Sequence, residues 1–179
     1  MSHAAGVYGQ GLYALAKEEA LEEAILQELD LLKTAFSEEP DFIKLLSSAN
    51  VPKAERLTVI DSSFRGKVQP YVLNFLKLLT EKGYIAHFAD CCETYRDLYN
   101  GDRGILQVQA VSAIALTENQ KQQLTDKLSA ITGKTVDLIC KVDKSVLGGI
   151  RLNYNGTQVD GTVQSRLQAI EKRLKNTVL

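Results

Sequence analysis

The residues best suited to chemistry lie near the start of the chain, where two glycines match the dinucleotide-binding pattern G-x-G-x-x-[GA]. The matching segment is Gly9-Gln10-Gly11-Leu12-Tyr13-Ala14. This pattern binds pyrophosphate only between a buried strand and a helix, because the phosphates lie on the helix N-terminus. Only eight residues precede Gly9, and they lack the pattern of a buried strand. The sequence therefore favours glycines inside a helix, at a point where another backbone or side chain comes close.

The other reactive side chains form no catalytic or metal-binding pattern. The two histidines, His3 and His87, are far apart, and neither has a carboxylate motif beside it. Four carboxylates close together are typical of a solvated helix face: Glu18, Glu19, Glu22 and Glu23. The three cysteines lack metal-ligand spacing and are expected to be reduced, packed thiols: Cys91, Cys92 and Cys140. No Walker-type Gly-Lys-Ser/Thr sequence occurs. We therefore expect no catalytic residue, no cofactor and no metal.

Composition predicts an ordinary globular protein of one large or two small domains. The chain has 179 residues, of which 45% are hydrophobic and 24% charged. Residues 1–100 carry 10 Lys/Arg and 15 Asp/Glu, a net charge of −5, whereas residues 101–179 carry 11 and 7, a net charge of +4. This asymmetry indicates two modules with different partners, and the basic excess is too scattered for nucleic-acid binding. No apolar run is long enough to span a membrane, and no secretory signal or Arg-rich transit peptide is visible, which favours a bacterial origin. The reduced thiols favour a cytoplasmic protein.

Helical periodicity dominates the first hundred residues. Apolar residues at intervals of three and four predict six short helices, which read as a bundle over residues 1–102. The clearest stripe comprises Leu21, Ile25, Leu29, Leu32 and Phe36. Pro52 is expected in the first turn of the fourth helix, and Gly83 is expected to end a fifth helix that begins at Val68.

The period changes after the polar turn Asn100-Gly101-Asp102-Arg103-Gly104, which we take as the domain boundary. Residues 103–179 read as strand, helix, strand, strand, helix, so the fold class is mainly α with a small C-terminal α/β module. Thr117 and Gln120 form a capping box for a helix that carries Leu124, Leu128 and Ile131. The following strand alternates Val136, Leu138, Cys140 and Val142.

The predicted fifth helix carries two apolar stripes where a surface helix needs only one. The first is Val68, Val72, Leu76 and Leu79, and the second is Tyr71, Phe75 and Leu78. Two explanations are open: a central helix buried on all sides, or a helix whose second stripe lines a groove for another protein's amphipathic helix. In the second case, we expect Phe75 and Leu78 to be exposed.

The C-terminal region contains a fixed succession of structural signals. Gly148-Gly149 permits a bend or a close approach of two backbones, and Asn155-Gly156 supplies the positive φ values of a tight turn. Asp160-Gly161 follows, with Asp160 as the expected N-cap of a final helix that bears Val163, Leu167, Ile170 and Leu174.

This region resembles the C-terminal signature of the delta subunit of F-type ATP synthases, whose mitochondrial relative is the oligomycin-sensitivity-conferring protein. The resemblance rests on Val146 to Gly149, Gly156 and Val159-Asp160-Gly161. It continues along nearly the whole chain through Tyr8 to Ala16, Phe75 to Leu79 before Gly83, Val111 to Ala113, Leu116-Thr117 and Val142 to Ser145. It implies a non-catalytic stator subunit in the peripheral stalk of a proton- or sodium-translocating enzyme, which couples ion flow to ATP synthesis.

The resemblance also implies the partners. In the family, the first and fifth helices bind the N-terminal helix of an alpha subunit, which implicates Tyr8, Gly11, Phe75 and Leu78, and the C-terminal module binds the C-terminal ends of the b subunits. The chain would then lie at the cytoplasmic face of a bacterial cell membrane, attached only through the complex. Where the family favours an Arg after the glycine of the fifth helix, this chain has Tyr84. The alternative from another class is an unrelated helical enzyme with a small α/β lid, which a nucleotide-binding or ATPase assay would distinguish.

Overall fold

The computed structural model describes residues 3–146, 148–154 and 156–162 of the chain. Within these ranges the protein is mostly helical, with one small mixed β-sheet. The predicted final helix, with Val163, Leu167, Ile170 and Leu174, and the turn residue Asn155 lie outside the described residues.

Six α-helices precede the sheet in the described part of the chain. They are α1 (His3–Glu18), α2 (Glu22–Glu38), α3 (Pro40–Ser47), α4 (Lys53–Phe64), α5 (Pro70–Lys82) and α6 (Phe88–Asp102). A short 3₁₀ helix, Ile85–His87, lies between α5 and α6.

Local chemistry sets the ends of α4 and α5. Pro52 is the N-cap residue of α4, directly before its first turn. Helix α5 begins at Pro70, so Val68 lies outside it, contrary to the predicted start. Proline fixes φ near the helical value and lacks the N–H that a first turn leaves unpaired, so it favours a helix start at this position. Gly83 ends α5 in the left-handed conformation, with φ of 76°, as the sequence predicts.

The helical core forms where aromatic residues from distant helices meet the apolar stripe of α2. Ile25, Leu29, Leu32 and Phe36 are buried as predicted, whereas Leu21 precedes the helix. Tyr95 of α6 is completely buried, and its hydroxyl donates a hydrogen bond of 2.9 Å to the backbone oxygen of Glu22. This bond satisfies a polar group that burial would otherwise leave without a partner.

The C-terminal part contains the sheet and one described helix. Its elements are β1 (Ile105–Ser112), α7 (Glu118–Thr132), β2 (Thr135–Val142), β3 (Ile150–Tyr154) and β4 (Thr157–Asp160). The strand order is β2-β1-β3-β4, with β1 and β2 parallel and the other neighbours antiparallel. Helix α7 forms the crossover between β1 and β2, which is needed because a hairpin cannot join parallel strands. Strand β4 was not predicted, and Asp160 is its last residue.

The core of this sheet is built by Leu106, Val108 and Val136, against which Leu128, Leu138, Leu152 and Tyr154 pack. Helix α7 starts at the predicted Thr117–Gln120 capping box and ends at Gly133. As predicted, α7 carries Leu124, Leu128 and Ile131; Ile131, in the last turn, is 81% exposed and lies outside the apolar core.

The internal contacts of the chain divide it into two compact units between Tyr99 and Asn100. The predicted polar turn is shorter than expected, since α6 continues to Asp102 and includes Asn100 and Gly101. Gly104, in the turn that follows α6, has a φ of 63° that favours glycine.

Candidate functional site: a groove between α1 and α5

A surface groove with a volume of about 560 Å³ lies between α1 and α5 of the helical unit. Its lining is largely apolar and comprises Val7, Tyr8, Gly11, Leu12 and Leu15 from α1, and Tyr71, Asn74, Phe75 and Leu78 from α5. All four residues selected by the family resemblance, Tyr8, Gly11, Phe75 and Leu78, therefore line one groove.

Helical spacing brings the α1 residues to the groove. Tyr8, Gly11, Leu12 and Leu15 follow one another at intervals of three, one and three, so they share one face of α1. No atom of a neighbouring element lies within 4 Å of the position where a Cβ on Gly11 would be. The missing side chain of Gly11 therefore leaves open space on the α1 wall.

The α5 residues form the floor and the rim of the groove. Phe75 is only 6% exposed, and its ring centroid lies 6.4 Å from that of Phe88, so the predicted exposure of Phe75 is wrong. It is buried because α6 covers part of the second stripe. Leu78 is 39% exposed, and Val7 on the opposite wall is 57% exposed. The groove thus has an aromatic floor and an accessible aliphatic rim.

The two ends of the groove differ chemically. At one end, the Tyr8 ring lies 5.6 Å from that of Tyr84, measured between centroids. At the other end, desolvation and the neighbouring Glu19 carboxylate raise the pKa of Tyr71. A phenol is protonated at neutral pH even without this shift, so the Tyr71 hydroxyl is a hydrogen-bond donor at this end of the groove.

Glycine conformations explain most of the C-terminal signature. Gly148, Gly149 and Gly156 all have positive φ, at 116°, 87° and 73°. The Gly161 N–H donates a 3.1 Å hydrogen bond to the Ile150 oxygen, and the Thr162 N–H donates a 2.9 Å bond to the Asp160 carboxylate. Asp160 thus accepts a backbone N–H as an N-cap residue does, although the helix predicted after it lies outside the described residues.

The glycine pattern in α1 has no preceding strand and lies inside the helix. A Cβ on Gly9 would come within 2.6 Å of the Cys91 backbone oxygen, so Gly9 permits the close packing of α1 on α6. Among the described residues, no group of three or more His, Cys, Asp or Glu could hold a metal ion. Glu18, Glu19 and Glu23 are exposed, and Glu22 is half-buried.

The two buried thiols do not have the properties of nucleophiles. All three cysteines are free; Cys91 and Cys92 are buried, and Cys140 is half-buried. Burial raises the pKa of Cys91 to about 11 and raises that of Cys92 further. The thiolate is the reactive form, so these two buried cysteines are packing residues.

Comparison with known proteins identifies the family. Residues 4–174 match the model of the ATP synthase delta (OSCP) subunit. The chain belongs to this family. It is 31% identical to ATP synthase subunit delta of Clostridioides difficile, covering 96% of this chain and 95% of the relative. It is 32% identical to the subunit delta of Desulforamulus reducens, covering 93% and 92%.

The fold of this chain is also found in a solved structure. A chain of the Toxoplasma gondii mitochondrial ATP synthase hexamer superposes with a TM-score of 0.78, covering 95% of this chain and 96% of that one at 20% identity. Family membership confirms the functional class expected from the sequence, a non-catalytic structural subunit of the ATP synthase peripheral stalk. None of the helices in the described ranges has both the length and the apolar character needed to cross a bilayer.

Sequence reasoning did not assign Val7, Leu12, Leu15 or Asn74 to the groove, and it placed Tyr71 only in the second stripe. The signal that could have identified the α1 residues was their position three or four residues from Tyr8 and Gly11.

Proposed function

We propose that the helical unit, residues 1–102, acts as a six-helix bundle that holds the catalytic head by binding the N-terminal helix of an alpha subunit. The observation that carries this proposal is the α1–α5 groove, because Tyr8, Gly11, Phe75 and Leu78 all line it. Amphipathic helices bind in apolar grooves through side chains spaced by three or four residues.

Exposure of the rim supports a bound partner. Val7 of α1 and Leu78 of α5 both line the groove, and both are large apolar side chains with more than a third of their surface accessible. A docked apolar helix face would remove both side chains from water. This burial is favourable by about 25 cal/mol of free energy per Å² of apolar area. Phe75 beneath them gives the partner a rigid aromatic floor.

We propose that residues 103–179 bind the C-terminal ends of the b subunits. Exposed large apolar side chains support this role, since an isolated domain of this size gains nothing from leaving them in water: Ile114, Ile131, Ile139, Val142 and Val159. The net charge of +4 over residues 101–179, against −5 over residues 1–100, further supports a division of partners between the two parts.

With both partners bound, the chain would link the alpha/beta head to the b subunits and resist the torque of the rotor. Proton or sodium flow could then drive ATP synthesis without the head turning with the rotor. The chain itself would hold neither nucleotide nor nucleic acid. It would lie at the cytoplasmic face of a bacterial membrane, attached only through the complex.

The groove assignment is tested with Leu78→Ala, because Leu78 is exposed and its truncation leaves the core intact. Leu31→Ala is the matched control, since Leu31 is a 72% exposed leucine on α2 that does not line the groove. Each full-length variant is titrated with a synthetic alpha N-terminal peptide. Leu78→Ala should weaken binding by about 1–2 kcal/mol, the cost of losing an interface anchor, and Leu31→Ala should leave it unchanged.

Phe75→Ala should weaken binding as well, but it should also lower the melting temperature because Phe75 packs in the core. Equal peptide affinities for wild type, Leu78→Ala and Leu31→Ala would refute the groove as the alpha-binding site.

A further inference from the structure

The α1–α5 groove carries opposite charges at its two ends. Leu15 lines the groove, and the Glu19 N–H donates a 3.2 Å hydrogen bond to the Leu15 oxygen, so Glu19 lies one helical turn beyond it. The Glu19 carboxylate also lies beside Tyr71, the groove residue at the start of α5. An exposed carboxylate next to a phenol therefore lies beyond this end of the groove.

The sequence around Glu19 reinforces the negative end. Residues 17–23 contain four carboxylates and a single lysine, so the segment has a net charge of −3. Two of the carboxylates, Glu22 and Glu23, lie in the first turn of α2, where they complement the helix dipole.

The opposite end of the groove is positive. Lys82 lies in the last turn of α5, four residues after Leu78, so the two side chains share one face of the helix. The nearby carboxylate of Glu81 is paired with Lys53, at 2.7 Å between Nζ and Oε1. Lys82 is thus an exposed cation one turn beyond the rim residue Leu78.

We propose that these two ends select the charge pattern of the docked helix: a lysine or arginine of the partner against Glu19, and a carboxylate of the partner near Lys82. This inference rests on the proposed groove function and adds to it the polarity of the partner. The apolar floor supplies affinity that does not depend on direction. The two charges distinguish one helix direction from its reverse, since reversing the helix would place like charges together.

The test uses the full chain, a fluorescent alpha N-terminal peptide and the variants Glu19→Gln and Lys82→Gln. Glu38→Gln is the control, because Glu38 is an exposed carboxylate at the end of α2 that does not line the groove. At low salt, Glu19→Gln and Lys82→Gln should each weaken binding by about twofold to fivefold, the range for exposed ion pairs. Glu38→Gln should have no effect.

Salt provides a second readout. Raising the ionic strength to about 0.5 M shortens the Debye length and should remove the difference between wild type and the Glu19→Gln variant. Charge reversal by Glu19→Lys should weaken binding more than Glu19→Gln does, because it replaces attraction with repulsion.

The Leu78→Ala variant distinguishes a failure of the charge selection from a failure of the groove assignment. If Leu78→Ala weakens binding while both charge variants bind as wild type at low salt, the groove assignment stands and the charge selection is wrong. If none of the three variants weakens binding, the proposed groove function itself is wrong.

Discussion

The backbone of Gly149 packs against that of Gly161. Gly149 directly precedes β3 and Gly161 directly follows β4, so this contact lies where the two paired strands begin and end. A Cβ on Gly149 would come within 2.6 Å of the Gly161 oxygen and 2.8 Å of the Thr162 Cα. Gly149 also has a φ of 87°, a conformation that L side chains rarely adopt. Two independent requirements, conformation and space, thus coincide at Gly149.

Gly149→Ala should therefore destabilise the C-terminal unit by about 2–4 kcal/mol, as backbone strain and overpacking add. Gly156→Ala is the matched control, because Gly156 has a φ of 73° but open space around it. It should cost only about 1–2 kcal/mol, the penalty of the left-handed conformation. Urea denaturation of the full chain, followed by circular dichroism, measures both. Equal losses in the free energy of unfolding for the two variants would show that the close approach to Gly161 does not affect stability.

The same pair of variants tests whether each of the two units binds a different partner. Gly149→Ala should weaken binding of a soluble b dimer more than Gly156→Ala does, because the proposed b platform depends on the fold of the sheet. Both variants should bind the alpha N-terminal peptide as wild type does. Parallel loss of both affinities in Gly149→Ala would contradict the assignment of separate partners to residues 1–102 and 103–179.

Local chemistry made parts of the fold predictable from sequence. Gly83 and the Thr117–Gln120 capping box act through hydrogen bonds within a few residues, so their effect is visible in the sequence itself. Strand β4 was missed because all four of its residues are exposed, and it therefore lacks the alternating apolar pattern of a half-buried strand. Its place in the sheet is set by pairing with β3.

The candidate site was predictable only in part, for a similar reason. The second stripe of α5 marked Phe75 and Leu78 as neighbours on one face, because helical periodicity is local. Whether each is covered depends on α6, which lies further along the chain, and this is why Phe75 is buried and Leu78 exposed. The position of Glu19, which directly follows α1, beside Tyr71 of α5 likewise depends on residues that are distant in sequence.

The two glycines of the α1 pattern should respond oppositely to alanine. At Gly9, a Cβ would collide with the Cys91 oxygen at 2.6 Å and with Thr94 at 2.9 Å, so Gly9→Ala should destabilise the helical unit by about 1–3 kcal/mol. At Gly11 there is no neighbour within 4 Å, so Gly11→Ala should stabilise α1 by up to about 1 kcal/mol through helix propensity. Thermal unfolding of the two variants measures both effects. Shifts of the same sign would contradict the packing of α1 on α6.

Acid should weaken the helical unit through Asp61. Hydrogen bonds from Arg65 and Lys77 lower the pKa of Asp61 below its usual value of 3.8. Arg65 is four residues along from Asp61, at the end of α4, whereas Lys77 belongs to α5, so the second bond ties two helices together. A carboxylate whose pKa is lower in the folded state stabilises the fold at pH values above its unfolded pKa. That contribution is lost as the pH falls through the folded pKa.

Asp61→Asn should thus lower the free energy of unfolding at pH 7, and the difference from wild type should shrink below about pH 3.8. It should vanish once the pH lies below the folded pKa, because Asp61 is then neutral in both states. Asp41→Asn is the control: Asp41 pairs with Lys44 within α3, and both side chains are largely exposed, so its loss should change stability little. Urea denaturation of the three proteins between pH 7 and pH 2.5 measures these differences. A gap between wild type and Asp61→Asn that stays constant down to the lowest pH would mean that Asp61 contributes by packing, and that its charge contributes nothing.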